Sequence, residues 1–281
     1  MYKLLIFTLL LGSALPAQNG DSYAPDWVSI EKNIPYGPHA ETVLDILQPK
    51  TALAGRRPGV IAIHGGGWRG GAKEREFDRL CKWYLEKGFV VANVEYRLTK
   101  VAPAPAAVED VLAAANWFRS HAQKYNVDPN RIVVTGGSAG GHLALMVGMT
   151  PRSAKLGTPA RVAAVVNFYG ITDVGDLMEG PNLKEYAAAW VPEQDGRRML
   201  ARRVSPINYV RKDVPPILTI HGDADETVPY DHGFSLTKAL RDAGAPAEMI
   251  SIRGGGHGFP PEKMAELYQQ IGEFLKRHKI Y

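Results

Sequence analysis

A glycine-flanked serine, Ser138, is the residue of this sequence best placed for covalent chemistry. It lies in Gly136-Gly137-Ser138-Ala139-Gly140, which fits the pattern Gly-x-Ser-x-Gly. In this pattern the serine occupies a sharp turn between a strand and a helix, so that its hydroxyl is exposed. A phosphate-binding glycine loop would continue into Lys-Ser or Lys-Thr, which this run lacks. The pattern therefore predicts a serine nucleophile.

A serine hydroxyl needs a base, and the base needs a carboxylate that fixes its tautomer. His257 lies between glycines in the run 254–259, and Asp225 lies in the run His-Gly-Asp-Ala-Asp at residues 221–225. Each run follows an apolar stretch, in the chain order serine, acid, histidine. We predict that His257 is the general base and that Asp225 orients it, with Asp223 as the competing acid.

The run His64-Gly65-Gly66-Gly67-Trp68 follows another apolar stretch. Glycines let backbone N–H groups approach a negatively charged oxygen, so Gly66, Gly67 and Ala139 are the predicted oxyanion donors. A nucleotide-binding loop would instead require Gly-x-Gly-x-x-Gly. The eight histidines form no ligand-spaced cluster with cysteine or carboxylates, so we expect neither a metal nor another cofactor.

Short apolar runs that alternate with amphipathic stretches must position these residues. The predicted strands cover residues 27–34, 42–47, 60–63, 89–94, 132–134, 162–168, 217–220 and 248–252. The predicted helices cover residues 74–86, 107–124, 139–147, 234–243 and 262–277. Alternation of this kind predicts an α/β fold with a mostly parallel sheet of about eight strands and the site at the carboxyl ends of the strands.

The long connection at residues 172–214 interrupts this alternation. Connections of this length are usually lids or binding segments. It carries Leu177, Met178, Tyr186 and Trp190, which we expect to line the acyl entrance. Trp68 and Trp190 are accordingly the predicted substrate-binding side chains.

The N-terminus has the composition of a signal peptide. Lys3 precedes the apolar run 4–11, and small residues follow as far as Ala17. The run is too short to span a bilayer, so we expect export to the periplasm or the medium without a stable membrane anchor. Residues 18–281 would then form one catalytic domain. A net charge of +4 with scattered Lys and Arg gives no nucleic-acid footprint.

The four runs HGGGW, GGSAGGH, HGDADETVP and GGGHGF resemble those of the α/β-hydrolase superfamily. The chain is most similar to the hormone-sensitive-lipase-like carboxylesterases, and within them to small bacterial feruloyl and acetyl xylan esterases. Trp68, the run 95–98 (Glu-Tyr-Arg-Leu) and Ser205-Pro206-Ile207 carry the closer likeness. The resemblance implies the same catalytic triad and oxyanion hole, but the stretch before Val43 is too short for a large helical cap.

These observations predict an exported serine carboxylesterase that acts on short acyl esters, such as acetyl or feruloyl groups on plant polysaccharide. The partner is then a small-molecule or polysaccharide-linked ester. An amidase of the arylformamidase type is an alternative, because the same triad and oxyanion hole serve amides. A non-catalytic ligand-binding homologue is a second alternative, since fold alone does not fix function.

Overall fold

One eight-stranded sheet organises the protein. The computed structural model describes residues 23–51 and 55–281, so the predicted signal peptide lies outside the described residues. The strands are β1 (Val28–Pro35), β2 (Val43–Pro49), β3 (Arg57–Ile63), β4 (Val90–Val94), β5 (Val127–Gly137), β6 (Ala164–Phe168), β7 (Ile217–Gly222) and β8 (Ala247–Ile252). Their order across the sheet is β1-β2-β4-β3-β5-β6-β7-β8. The eight predicted strands are thus confirmed.

The sheet is parallel except at one edge. Strands β1 and β2 pair antiparallel, as do β2 and β4, whereas the other five pairings are parallel. The carboxyl ends of β3, β5, β6, β7 and β8 therefore lie along one rim, where ligands bind in open α/β sheets. The prediction of a mostly parallel sheet is confirmed.

Helices cover both faces of the sheet. They are α1 (Lys82–Glu86), α2 (Ala106–Ser120), α3 (Ala139–Met149), α4 (Glu185–Trp190), α5 (Arg197–Arg203), α6 (Asp231–Asp242) and α7 (Pro261–Arg277). Alternate residues of β3 enter different apolar layers: Ile61 packs in the layer that contains Leu143 of α3, and Val60 in the layer that contains Ile271 of α7. Burial on both faces explains why the central strands are continuously apolar. None of the helices within the described ranges is long and apolar enough to cross a membrane.

The predicted continuous helix at residues 74–86 is wrong. The segment consists of a 3₁₀ turn (Lys73–Glu76), a π-helical turn (Phe77–Cys81) and α1. The ammonium of Lys73 lies 3.2 Å from the buried carboxylate of Asp45, and the Lys73 carbonyl accepts a hydrogen bond of 2.7 Å from Asn93 Nδ2. These contacts fix the first turn against β2 and β4, and the local sequence pattern does not reveal them.

Candidate active site

Ser138 occupies the turn between β5 and α3. Its backbone has φ 58° and ψ −123°, a region that residues other than glycine rarely adopt. Its N–H donates a 3.0 Å hydrogen bond to the carbonyl of Phe168, which holds the turn against β6. Gly140 is required beside it, because a Cβ there would lie 2.2 Å from the carbonyl oxygen of Ile63. The turn therefore has the geometry that the Gly-x-Ser-x-Gly pattern predicts.

His257 and Asp225 meet at the same rim of the sheet. The loop after β7 carries Asp225, the loop after β8 carries His257, and His257 Nδ1 lies 2.7 Å from Asp225 Oδ2. Because a carboxylate only accepts, Nδ1 carries the hydrogen of this bond and Nε2 is left free to accept a proton. Ser138 and His257 border one cavity. The structure thus brings together the three residues of the predicted triad.

Four donors surround the buried carboxylate of Asp225. Its Oδ1 accepts hydrogen bonds from the N–H groups of Thr227 (2.8 Å) and Val228 (3.0 Å), and His221 Nε2 lies 3.3 Å from Oδ2. Burial alone would raise the pKa of Asp225, but the hydrogen bonds from His221, His257 and Val228 outweigh it and hold that pKa well below its ordinary value. Asp225 therefore stays ionised beside His257.

Asp223, the competing acid, faces elsewhere. Its side chain is exposed, and Oδ1 accepts a 2.6 Å hydrogen bond from the N–H of Gly254. It connects the loops that follow β7 and β8, whereas Asp225 contacts the histidine ring. The geometry favours Asp225 as the orienting acid.

The predicted oxyanion donors also border this rim. Gly66 and Gly67 line the cavity, and both have positive φ, 114° and 59°. The Gly66 carbonyl accepts from the N–H groups of Arg69 and Gly70, which closes the loop into a turn. Among the described residues no backbone carbonyl accepts from the N–H of Gly66 or Gly67. Ala139 begins α3, where backbone N–H groups lack partners within the helix.

Two side chains that directly follow β4 contact the glycine loop. His64 Nε2 lies 2.8 Å from Glu95 Oε1, and the Tyr96 ring stacks on the His64 ring with centroids 4.3 Å apart. The Tyr96 hydroxyl also donates to the His64 carbonyl at 3.1 Å. Glu95 and Tyr96, the first two residues of the Glu-Tyr-Arg-Leu run, thus hold His64 at the start of the glycine loop, a role that sequence reasoning did not assign.

Trp68 and Trp190 are core residues in this structure, which corrects the prediction that they bind substrate. Both side chains are fully buried, and their rings stack with centroids 4.1 Å apart. Trp68 Nε1 donates a 3.2 Å hydrogen bond to Nδ1 of His142, which is also buried. Neither tryptophan borders the cavity at Ser138. Stacking beneath the glycine loop removes more of the surface of both rings from water than a position at the cavity entrance would.

The segment 172–214 contributes less to the cavity than its composition predicts. Leu177 and Met178 are buried and do not border the cavity, whereas Tyr186 does. The Tyr186 ring lies against Gly67, and its hydroxyl donates to the carbonyl of Thr227 at 3.2 Å. Of the four residues expected at the acyl entrance, only Tyr186 lies there.

The cavity measures about 680 Å³ and has a polar side that sequence reasoning missed. Tyr169, Arg69, Glu76 and Arg79 border it together with Ser138 and His257. Tyr169 follows the predicted strand 162–168 directly, so its place at a carboxyl end could have identified it. No such signal marks the other three residues, because a broken helix and a loop place them.

Within residues 23–51 and 55–281, no group of three or more His, Cys, Asp or Glu side chains could hold a metal ion.

Comparison with known proteins relates this site to a group of hydrolases. Residues 44–240, well over half of the chain, match the family model BD-FAE. Esterase LipQ of Mycobacterium tuberculosis is 32% identical over 226 residues, which cover 76% of this chain and 53% of LipQ. The chain thus spans about half the length of LipQ and of two other curated relatives that it matches.

Solved structures give the same relationship. A truncated carbohydrate esterase from gut microbiota has a TM-score of 0.77 and 32% identity, covering 89% of this chain and 98% of that one. Propionate-bound esterase 2 of Thermogutta terrifontis has a TM-score of 0.73 and 25% identity, covering 91% and 97%. The sheet order, the turn at Ser138 and these matches agree. The chain belongs to the BD-FAE family of hormone-sensitive-lipase-like α/β hydrolases.

Proposed function

We propose that this protein is a serine hydrolase that cleaves carboxylic esters. One observation carries the proposal: His257, held by the buried carboxylate of Asp225, borders the same cavity as Ser138 on its strained turn. Nucleophile, base and orienting acid in this relation perform acyl transfer in unrelated folds. The esterase names of the relatives and structural neighbours support the same activity.

The proposed reaction proceeds through an acyl-enzyme. His257 Nε2 accepts the hydroxyl proton of Ser138 as Oγ attacks the ester carbonyl carbon. The carbonyl oxygen becomes negatively charged and accepts hydrogen bonds from the N–H groups of Gly66, Gly67 and Ala139. His257 then gives its proton to the departing alkoxide, which leaves as the alcohol. In the second half, His257 takes a proton from a water molecule that attacks the acyl carbon, and it returns this proton to Ser138 Oγ as the acid leaves.

Short acyl esters, including acetyl or feruloyl groups on polysaccharide, are the proposed substrates. The structural neighbour from gut microbiota is named a carbohydrate esterase, and the Thermogutta enzyme has been solved with propionate and with butyrate. The ring of Tyr186 over Gly67 restricts the space beside the proposed oxyanion loop, which favours a small acyl group.

We also propose export, because residues 1–17 have the composition of a signal peptide. N-terminal sequencing of the protein released by the producing cells tests it.

Replacement of the nucleophile tests the activity. Wild-type protein should hydrolyse p-nitrophenyl acetate faster than the octanoate ester and should react with a fluorophosphonate probe. Ser138→Ala should lose on the order of a million-fold in kcat and should not be labelled. Ser235→Ala, an exposed serine on α6, is the matched control and should keep both properties. Labelling that persists in Ser138→Ala would refute Ser138 as the nucleophile.

A further inference from the structure

Two arginines give the cavity a feature that ester cleavage itself does not require. Arg69 and Arg79 border the cavity from two separate segments, the loop after β3 and the π-helical turn. Acyl transfer needs a nucleophile, a base and oxyanion donors, and all of these are supplied by other residues. The guanidinium groups are therefore available for the part of the substrate that does not react.

The two guanidinium groups differ in their protein partners. Arg79 Nη2 lies 3.0 Å from Glu76 Oε2, and the side chain of Glu76 is largely buried. In the part of the chain that the structure describes, the side chain of Arg69 has neither a hydrogen bond nor an ion pair. Since Glu76 offsets one positive charge only, the polar side of the cavity keeps one positive charge in excess. Free guanidinium donors match the fork geometry of a carboxylate.

Tyr169 relates Arg79 to His257. Its ring centroid is 4.6 Å from that of His257. Tyr169, Arg79 and His257 border the same cavity, and the positive charge of Arg79 opposes the rise that burial causes in the pKa of Tyr169. His257 must deliver its proton to the departing alkoxide, so the alcohol part of the ester has to lie against His257. We therefore place Arg79, whose charge acts on the ring beside His257, toward the alcohol part, and Arg69 borders the same cavity.

We infer that the cavity selects esters whose alcohol part carries a carboxylate, held by Arg69 and Arg79. A uronic acid unit esterified on a hydroxyl and a small hydroxy acid share this chemistry. The inference rests on the proposed esterase activity and adds the charge of its substrate. Both arginine side chains are exposed to solvent, so the gain is moderate, about three- to tenfold in kcat/KM over a neutral ester of the same shape.

The test compares charged and neutral esters of matched shape. One pair is 4-acetoxybenzoate and 4-acetoxybenzamide, and the other is an acetylated methyl glucuronoside and the corresponding acetylated methyl glucoside. The readout is the ratio of kcat/KM for charged over neutral ester, with the aryl pair corrected by its rates of hydroxide hydrolysis. A ratio above one in both pairs identifies the carboxylate alone as the feature recognised, and a ratio above one only for the sugars identifies a uronate.

Variants connect the ratio to the arginines. Arg69→Gln and Arg79→Gln should each lower the charged-over-neutral ratio of kcat/KM toward one. A general loss of activity would lower both rates equally and leave this ratio unchanged. Arg152→Gln, an exposed arginine beyond the far end of α3, is the matched control and should leave the ratio unchanged. For wild-type protein, raising NaCl from about 0.05 to about 0.5 M should lower kcat/KM for the charged ester only, because salt screens exposed charges.

The outcomes separate this inference from the proposed function. If the protein hydrolyses the neutral esters and the ratio is one or less in both pairs, the inference is overturned, but the proposed esterase activity stands. A ratio that stays above one in both arginine variants also overturns it. If wild-type protein hydrolyses none of the four esters nor p-nitrophenyl acetate, the esterase activity itself fails.

Discussion

The surroundings of Asp225 explain why one of two nearby aspartates can orient His257. Both oxygens of Asp225 are occupied by donors from its own loop and from two histidines, and the side chain is buried. Asp223 is exposed and is hydrogen-bonded to the backbone of the next loop. Asp223 and Asp225 have the same side chain and lie two residues apart, but only Asp225 is placed to orient His257.

This difference predicts the outcome of two single substitutions. Asp225→Asn should lower kcat/KM on the order of ten-thousand-fold, because the amide can hold the histidine in the wrong tautomer. Asp223→Asn, the matched control, should stay within about tenfold of wild type, since loss of an exposed contact moves the loop only slightly. Steady-state kinetics on p-nitrophenyl acetate measures both. Greater sensitivity at Asp223 would return the role of the acid to that residue.

At the scale of elements, the segment 172–214 is joined to the core by aromatic stacking. Trp190, the last residue of α4, stacks on Trp68 of the glycine loop, and its carbonyl accepts a 2.8 Å hydrogen bond from the N–H of Ala104. Tyr186, one turn earlier in α4, reaches the cavity. The position of this side chain therefore depends on a stacked pair that has no contact with the cavity.

Loss of this stacking should act on stability first. Trp190→Ala should lower the free energy of unfolding by about 3 to 5 kcal/mol, because it leaves a void beneath the glycine loop. Leu183→Ala, an exposed residue of the same segment, should change it by about 0.5 kcal/mol or less. Urea denaturation followed by fluorescence measures both values. A loss below about 1 kcal/mol for Trp190→Ala would contradict the core role of this tryptophan.

At the scale of the whole molecule, the sheet and the places of the three candidate triad residues could be predicted from the sequence because they depend on local patterns. Apolar runs on a two-sided sheet are continuous, and Ser138 and His257 stand among glycines directly after such runs. The places of Trp68 and Arg79 could not be predicted, because they depend on contacts between distant segments. A tryptophan beside a catalytic loop has the same local sequence whether it faces a ligand or stacks on Trp190.

A buried histidine links three parts of the molecule and should make its stability depend on pH. His142 of α3 accepts from Trp68 Nε1 and donates from Nε2 to the carbonyl of Val204, at 3.2 and 2.6 Å. Burial lowers the pKa of His142 to about 4, only partly opposed by the hydrogen bond to Val204. The folded protein therefore holds this ring neutral under mildly acidic conditions, where an unfolded chain would protonate it.

The sign of the effect follows from this lowered pKa. Above about pH 6.5 both states are neutral at His142, and as the pH falls from there toward about 4 only the unfolded state gains the proton. Wild-type protein should lose up to about 1.4 kcal/mol of stability per pH unit in that window from this residue. The loss should be absent in His142→Gln, so the difference in unfolding free energy between the two proteins should change across the window. Parallel curves would contradict a neutral buried His142.

The turn at Ser138 implies that this protein gives up stability to hold its proposed nucleophile. A φ of 58° with ψ of −123° suits glycine, and holding any other residue there costs about 1 to 3 kcal/mol. Ser138→Ala and Ser138→Gly should both be inactive, but only glycine releases the strain, partly offset by its larger entropy when unfolded. Calorimetry should find the glycine variant melting a few degrees above the alanine variant. Equal melting temperatures would mean that the backbone conformation at residue 138 does not lower the stability of the folded protein.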